Sequence, residues 1–196
     1  PFKRTYQWMI LTELSDVLEV PLESALQHAL GSFGQGIEEY FITSDISRAG
    51  KWWNLRKYIS DAQKMEGVSI KHDISVAVST VPALLEQAGA ALEQQFPGIR
   101  IVAFGHIGDG NIHYNASMPE PAANTLLFSN SAQVNRVVYD IVTRLNGSIS
   151  AEHGLGQLKR DEIQRYKSPL ELELMRNIKR TLDPAGLMNP GKVINL

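Results

Sequence analysis

The chain contains no cysteine, which excludes disulfide frameworks and thiolate metal sites. No apolar run approaches the length of about 20 residues that a membrane-spanning helix needs. Its 19 lysines and arginines are matched by 21 acidic residues and form no dense basic cluster, which argues against a nucleic-acid-binding surface. The 196 residues that remain to be explained are 43% hydrophobic and 20% charged, a composition typical of a globular protein.

Apolar periodicity predicts an α+β fold. Alternating runs predict strands at 69–79, 99–106, 111–117 and 148–151, and helical spacing predicts a helix after Pro82 and another over 131–145. This β-α-β-β-α-β order is the ferredoxin-like plan. Two earlier apolar runs, 6–14 and 37–43, are expected to add strands to one antiparallel sheet with helices mainly on one face. We expect a ferredoxin-like domain over 1–155 and a C-terminal helical segment over 156–196.

Residues 105–115 read GHIGDGNIHYN, with histidines on both sides of a Gly-Asp-Gly-Asn turn. If the central Asp-Gly pair forms a two-residue type I′ turn, His106 faces His113 across a hairpin, with Cβ atoms about 4.5–5.5 Å apart. Asn115 shares their face by alternation. Two close neutral imidazoles suit one divalent cation. The alternative is a solvated polar face with two incidental histidines.

A second constellation is GSISAEHGLG at 147–156, where a short strand delivers Glu152 and His153 into a glycine-rich loop. Glu152 is a candidate carboxylate ligand and His153 a candidate general base; the alternative is a surface pair before a helix. In a standard ferredoxin-like sheet the central hairpin and the end of the last strand lie at opposite ends. Glu152 is therefore expected to lie far from His106, unless the sheet departs from that plan.

Candidate groups that bind a carboxylate come from two other segments. Arg56 and Ser60 are four residues apart on one predicted helix, hence on one face. Lys71 lies in an otherwise apolar strand and shares a face with Asp73. Arginine binds carboxylates through a bidentate fork, and lysine binds them as a point charge. Ordinary surface charge is the alternative.

These two motifs, together with LDPAGLMNPGKV at 182–193, resemble the C-terminal half of FAD-linked oxidases of the vanillyl-alcohol oxidase superfamily. Within it the chain is most similar to the D-2-hydroxyacid dehydrogenase branch, which includes glycolate oxidase, D-lactate dehydrogenase and D-2-hydroxyglutarate dehydrogenase. The resemblance extends in order over nearly the whole chain. It implies an FAD-dependent enzyme that oxidises a D-2-hydroxy acid to the 2-oxo acid, with hydride transfer to flavin.

The resemblance also implies roles for particular residues. Three positions match the family's ligands for a divalent metal, usually zinc: His106, His113 and Glu152. Four match positions that contact substrate: Arg56, Ser60, Lys71 and Asn115. His153 matches the proposed base, and Asn189 lies in the stretch that closes against the flavin. Ser60 stands where threonine is usual and His72 where an aromatic residue is frequent, two departures that bear on the substrate more than on the chemistry.

The resemblance further implies a two-part enzyme in which this chain is the cap fragment. Most of the FAD would be bound by a domain preceding Pro1, so the fragment alone should be inactive. Quinones, cytochromes or electron-transfer flavoprotein are the implied electron acceptors, a homodimer is compatible, and the implied location is cytoplasmic or peripheral to a membrane, mitochondrial in a eukaryote. Two alternatives stay open: a metal-dependent hydrolase, and a non-catalytic metal-binding or interaction module.

Overall fold

The computed structural model describes residues 2–17 and 21–196, which divide into two compact units, Pro1–Gly67 and Val68–Leu196. The second unit contains both the sheet and the C-terminal helices. The division predicted at residue 155 concerns roles in an intact enzyme and stays a prediction.

The first unit contains three helices, α1 (Leu22–Ser32), α2 (Ile46–Lys57) and α3 (Ile59–Glu66). The Asp45 side chain begins α2 by accepting the Arg48 backbone N–H at 2.7 Å. A single helix was expected to carry Arg56 and Ser60, but it breaks at Tyr58 into α2 and α3.

The strands predicted at 6–14 and 37–43 are wrong, because the described residues there belong to no strand. Trp8 and Ile10 are 57% and 74% exposed, so the first run is not a buried one either. Apolar composition indicates a tendency toward burial, whereas a strand also needs a neighbour that pairs with its backbone. The sequence pattern carries no information on that neighbour.

The second unit is built on a three-stranded antiparallel sheet in the order β1 (Ile70–Ser75), β3 (Asn111–Ser117), β2 (Arg100–His106). Helices α4 (Val81–Gln95) and α6 (Ser131–Arg144) pack together over one face of it. This arrangement confirms the predicted α+β class and the antiparallel sheet. A further helix, α5 (Pro121–Ser129), lies in a stretch expected to be a loop.

The predicted fourth strand is reduced to one antiparallel bridge between Ser75 and Ser148. The Ser75 backbone N–H donates to the Ser148 carbonyl at 3.0 Å, and the Ser148 N–H donates back at 2.8 Å. Because Asn111 pairs with Ser75 on its other edge, residue 148 occupies the outer side of β1, as the ferredoxin-like order requires.

Alternation divides the sheet into two chemically different faces. The core face carries buried side chains that pack under α4 and α6: Ile70, His72, Ile74, Ile112, Tyr114 and Ala116. His72 contacts the Tyr114 carbonyl at 2.8 Å and the Asn135 side chain at 2.9 Å. Burial lowers the pKa of His72 to about 4, so the ring is a neutral core group at pH 7. The opposite face, the polar face, carries the other residues of each strand.

The hairpin register differs from the prediction by two residues. Residues 107–110 form the loop, with a short 3₁₀ turn and then Gly110 at φ +65°. His106 therefore pairs with Asn111, and Phe104 pairs with His113. Side chains alternate with a period of two, so a shift of two residues leaves both histidines on the same face.

Two helices follow the bridge, α7 (Ile163–Tyr166) and α8 (Pro169–Leu182). The predicted capping box at the start of α8 is confirmed: the Ser168 side chain accepts the Glu171 backbone N–H, and the Glu171 carboxylate accepts the Ser168 N–H. Hydrogen bonds from Lys167 and Ser168 lower the pKa of Glu171 to about 2. Within the described part of the chain, no helix is long and apolar enough to cross a membrane.

Gly110 tests how tightly the hairpin loop is held. A Cβ at this position would lie 1.8 Å from the Val76 carbonyl oxygen, and φ of +65° disfavours any other L-residue. Gly110→Ala should lower the free energy of unfolding by about 1–3 kcal/mol in urea titrations. Gly108→Ala is the matched control, because nothing lies within 4 Å of its Cβ position. Equal stability of the two variants would contradict this packing.

Candidate active site

The register brings three rows of polar-face side chains side by side across β1, β3 and β2. The row nearest the hairpin is Ser75, Asn111 and His106. The next is Asp73, His113 and Phe104, and the third is Lys71, Asn115 and Val102. Of the predicted site residues, His106, His113, Lys71 and Asn115 therefore share one face within three adjacent rows.

The segment after the bridge turns onto this face because Asp73 holds it there. The Asp73 Oδ2 atom accepts the backbone N–H groups of Ala151 at 3.2 Å, Glu152 at 2.9 Å and His153 at 2.8 Å. Such convergent N–H groups form a natural anion site. Residues 151–153, the amide loop, are thereby fixed beside the second row of the polar face.

The amide loop places Glu152 next to both hairpin histidines. Its Oε1 atom lies 3.3 Å from His106 Nδ1, and its Oε2 atom lies 3.8 Å from His113 Nε2. The Asn111 side-chain N–H₂ also donates to Glu152 Oε1. The expectation that Glu152 lies far from His106 is therefore wrong. A full fourth strand would have carried Glu152 to the other end of the sheet, but a single bridge does not.

A second grouping overlaps with the predicted ligands. One potential ligand atom from each of Asp73, His113 and His153 lies within 4.8 Å of the other two. The His113 and His153 rings stack at 5.6 Å between centroids. Both groupings offer only nitrogen and carboxylate oxygen, a donor set suited to zinc and similar divalent ions. His113 belongs to both.

Asp73 is a site residue that the sequence reasoning did not select. It is 4% exposed, and its Oδ1 atom has no hydrogen-bond partner among the described residues. Burial alone would raise the pKa of Asp73, but hydrogen bonds from the His153 and Glu152 backbone, with nearby positive charge, hold that pKa below its usual value. The available signal was alternation, which puts Asp73 on the polar face with Lys71.

The remaining predicted residues occupy different settings. Lys71 is exposed, whereas its strand neighbour Asn115 is buried. Arg56 lies half-buried in the last turn of α2, and Ser60 is exposed in the first turn of α3; both belong to the first unit. Asn189 is exposed in a turn at φ +46°, where its carbonyl accepts the Lys192 N–H at 3.3 Å.

Comparison with known proteins assigns the chain to a class. Residues 1–193 match the family of FAD linked oxidases, C-terminal domain, and the chain belongs to that family. Its relatives include a D-2-hydroxyglutarate dehydrogenase of Stutzerimonas stutzeri, 37% identical over 98% of this chain and 42% of that protein. The mitochondrial D-2-hydroxyglutarate dehydrogenase of Arabidopsis thaliana is 35% identical over 90% of this chain and 29% of that protein. The chain thus spans less than half the length of these relatives.

His113 is the residue whose loss should matter most for metal binding, since it contributes to both groupings. Even an outer-shell change at a metal site typically weakens affinity by about 10–100-fold, so His113→Ala should cost more than that in equilibrium dialysis with Zn²⁺. His28→Ala, at an exposed position of α1, is the control and should bind Zn²⁺ as the wild type does.

The two groupings are separated by a further pair of variants. The predicted ligand set requires His106→Ala to weaken Zn²⁺ binding strongly and His153→Ala to weaken it little. The reverse result would assign the ion to Asp73, His113 and His153. Unchanged affinity in His113→Ala would remove that residue from the ligand set.

Proposed function

We propose that this chain forms the substrate side of the active site in an FAD-dependent dehydrogenase that oxidises a D-2-hydroxy acid to the 2-oxo acid. The observation that carries the proposal is the convergence of His106, His113 and Glu152 on one face, in a chain of the FAD-linked oxidase family. The names of the relatives make D-2-hydroxyglutarate the first substrate to test.

The substrate carboxylate would be bound by cations and amides already noted. Lys71 presents an exposed ammonium beside the Asn115 amide, the two being directly paired across β1 and β3. Arg56 would add a bidentate fork and Ser60 a hydroxyl. Together these groups would fix the orientation of a 2-hydroxy acid.

The predicted ligands fit a divalent metal, and zinc is the proposed ion. Two imidazoles and one carboxylate leave coordination positions open for a substrate, as catalytic zinc sites do. When bound, the ion would acidify the substrate hydroxyl. His153, whose side chain is 67% exposed, would take the hydroxyl proton. FAD, when bound, would receive the hydride from the α carbon, which leaves the 2-oxo acid.

The FAD-binding domain would pack against the C-terminal segment 156–196. Helix α8 supports this proposal, since it exposes an apolar stripe at four-residue spacing: Leu170, Leu174, Ile178 and Leu182. Such a continuous apolar surface is typical of an interaction site. Asn189 follows in the next turn and would contact the flavin. Quinone, cytochrome or electron-transfer flavoprotein would accept the electrons, and a homodimer and a mitochondrial location in eukaryotes belong to the same proposal.

Flavin reduction tests the reaction. We expect this chain, fused to the N-terminal part of the Stutzerimonas relative and loaded with FAD, to bleach its flavin anaerobically with D-2-hydroxyglutarate but not with the L enantiomer. His153→Gln should slow the bleaching by about 10²–10⁴-fold, the usual contribution of a general base. His28→Gln should leave the rate unchanged. A hydrolase would show no substrate-dependent bleaching in any fusion.

The apolar stripe of α8 makes a separate prediction. Ile178 is 60% exposed, so Ile178→Lys should not lower the melting temperature of the chain. It should abolish co-purification with a separately expressed FAD-binding domain, because a charge would be buried there without a partner. Asn177→Lys, an exposed neighbour on α8, is the matched control and should still co-purify. Equal behaviour of both variants would rule out the stripe as the interface.

A further inference from the structure

One buried carboxylate contacts both halves of the proposed site. Asp73 lies directly opposite His113 in the register of β1 and β3. Its Oδ2 atom accepts the three N–H groups of the amide loop, which carries Glu152 and His153. Its Oδ1 atom is buried and lacks a hydrogen-bond partner among the described residues. A buried carboxylate oxygen without a donor is costly, and it indicates a donor that approaches when the site is complete.

The nearest candidate donor is the His113 ring. Its Nδ1 atom lies 3.8 Å from Asp73 Oδ1, while Nε2 on the opposite edge lies 3.8 Å from Glu152 Oε2. The ring therefore stands between the two carboxylates. One nitrogen faces the buried strand carboxylate, and the other faces the predicted ligand group.

We propose that Asp73 is a positioning residue that sets the tautomer of His113 and the place of the amide loop. A carboxylate only accepts hydrogen bonds, so the nitrogen facing Asp73 carries the ring proton. A neutral imidazole carries one such proton, which leaves the Nε2 lone pair directed toward Glu152 for a metal. Ligating histidines commonly donate their other N–H to a carboxylate in this way. The inference rests on the proposed function, since it takes His113 as a ligand through Nε2.

Direct ligation by Asp73 is the competing role. It requires lone pairs directed at the ion, whereas Oδ2 is occupied by three backbone N–H groups. Ligation through Oδ1 would need His113 to bind through Nδ1, since that is the nitrogen on the Asp73 side. The tautomer of His113 therefore separates the two roles.

Asp73→Asn is the decisive variant, because it keeps the shape and one oxygen. That oxygen can still accept from the amide loop, which turns the N–H₂ group toward His113 Nδ1. Nδ1 must then accept, and the proton moves to Nε2. We expect Zn²⁺ binding to weaken by about 10–100-fold. In the metal-free chain at pH 8, ¹⁵N NMR should show His113 as Nδ1–H in the wild type and Nε2–H in the variant.

Asp183→Asn is the matched control. Asp183 is likewise buried and accepts the Leu187 and Met188 N–H groups at 2.9 Å, but it lies in the C-terminal turn. It should lower the melting temperature and leave both the Zn²⁺ affinity and the His113 tautomer unchanged. A merely structural Asp73 would give this same pattern in Asp73→Asn, and that result would overturn the proposal.

The wild-type tautomer decides the question even if Asp73→Asn does not fold. An Nε2–H tautomer of His113 in the wild-type chain would overturn the proposal outright. A wild type that binds no Zn²⁺ would count against the metal in the proposed function. In that case the tautomer alone decides the role of Asp73.

Discussion

The three backbone N–H groups that converge on Asp73 Oδ2 determine where the chemistry of this domain lies. They take over from the bridge at Ser75 and Ser148 after only one pair of residues. Without them, residues 149–153 would continue as an edge strand and carry Glu152 away from the hairpin. A charged acceptor makes each of these bonds stronger than a neutral one, so one buried side chain can redirect a whole segment.

Strand periodicity supplies the second constraint. The same β1 strand sends His72 into the core, where burial keeps it neutral, and Asp73 to the polar face, where backbone amides keep it ionised. Adjacent residues thus have opposite electrostatic settings because successive side chains point to opposite faces. The hydrophobic helices cover one face, and the other keeps its polar groups together.

The sequence was informative where period and turn position suffice. It predicted the β-α-β-β-α core and placed His106 and His113 on one face, and the two-residue register error left that face unchanged. It failed for the runs at 6–14 and 37–43, since strand formation depends on a partner that composition does not reveal. The proximity of Glu152 was missed because a hydrogen bond to Asp73, not a periodic pattern, ends the fourth strand.

The central claim is that a hairpin and an amide loop create one metal and substrate site. Anomalous diffraction at the zinc absorption edge, on crystals of the chain grown with Zn²⁺, tests it most directly. The account predicts a peak bounded by His106, His113 and Glu152, with the Asp73 carboxylate on the far side of the His113 ring. A peak coordinated by Asp73 and His153 instead, or no peak on the polar face, would contradict it.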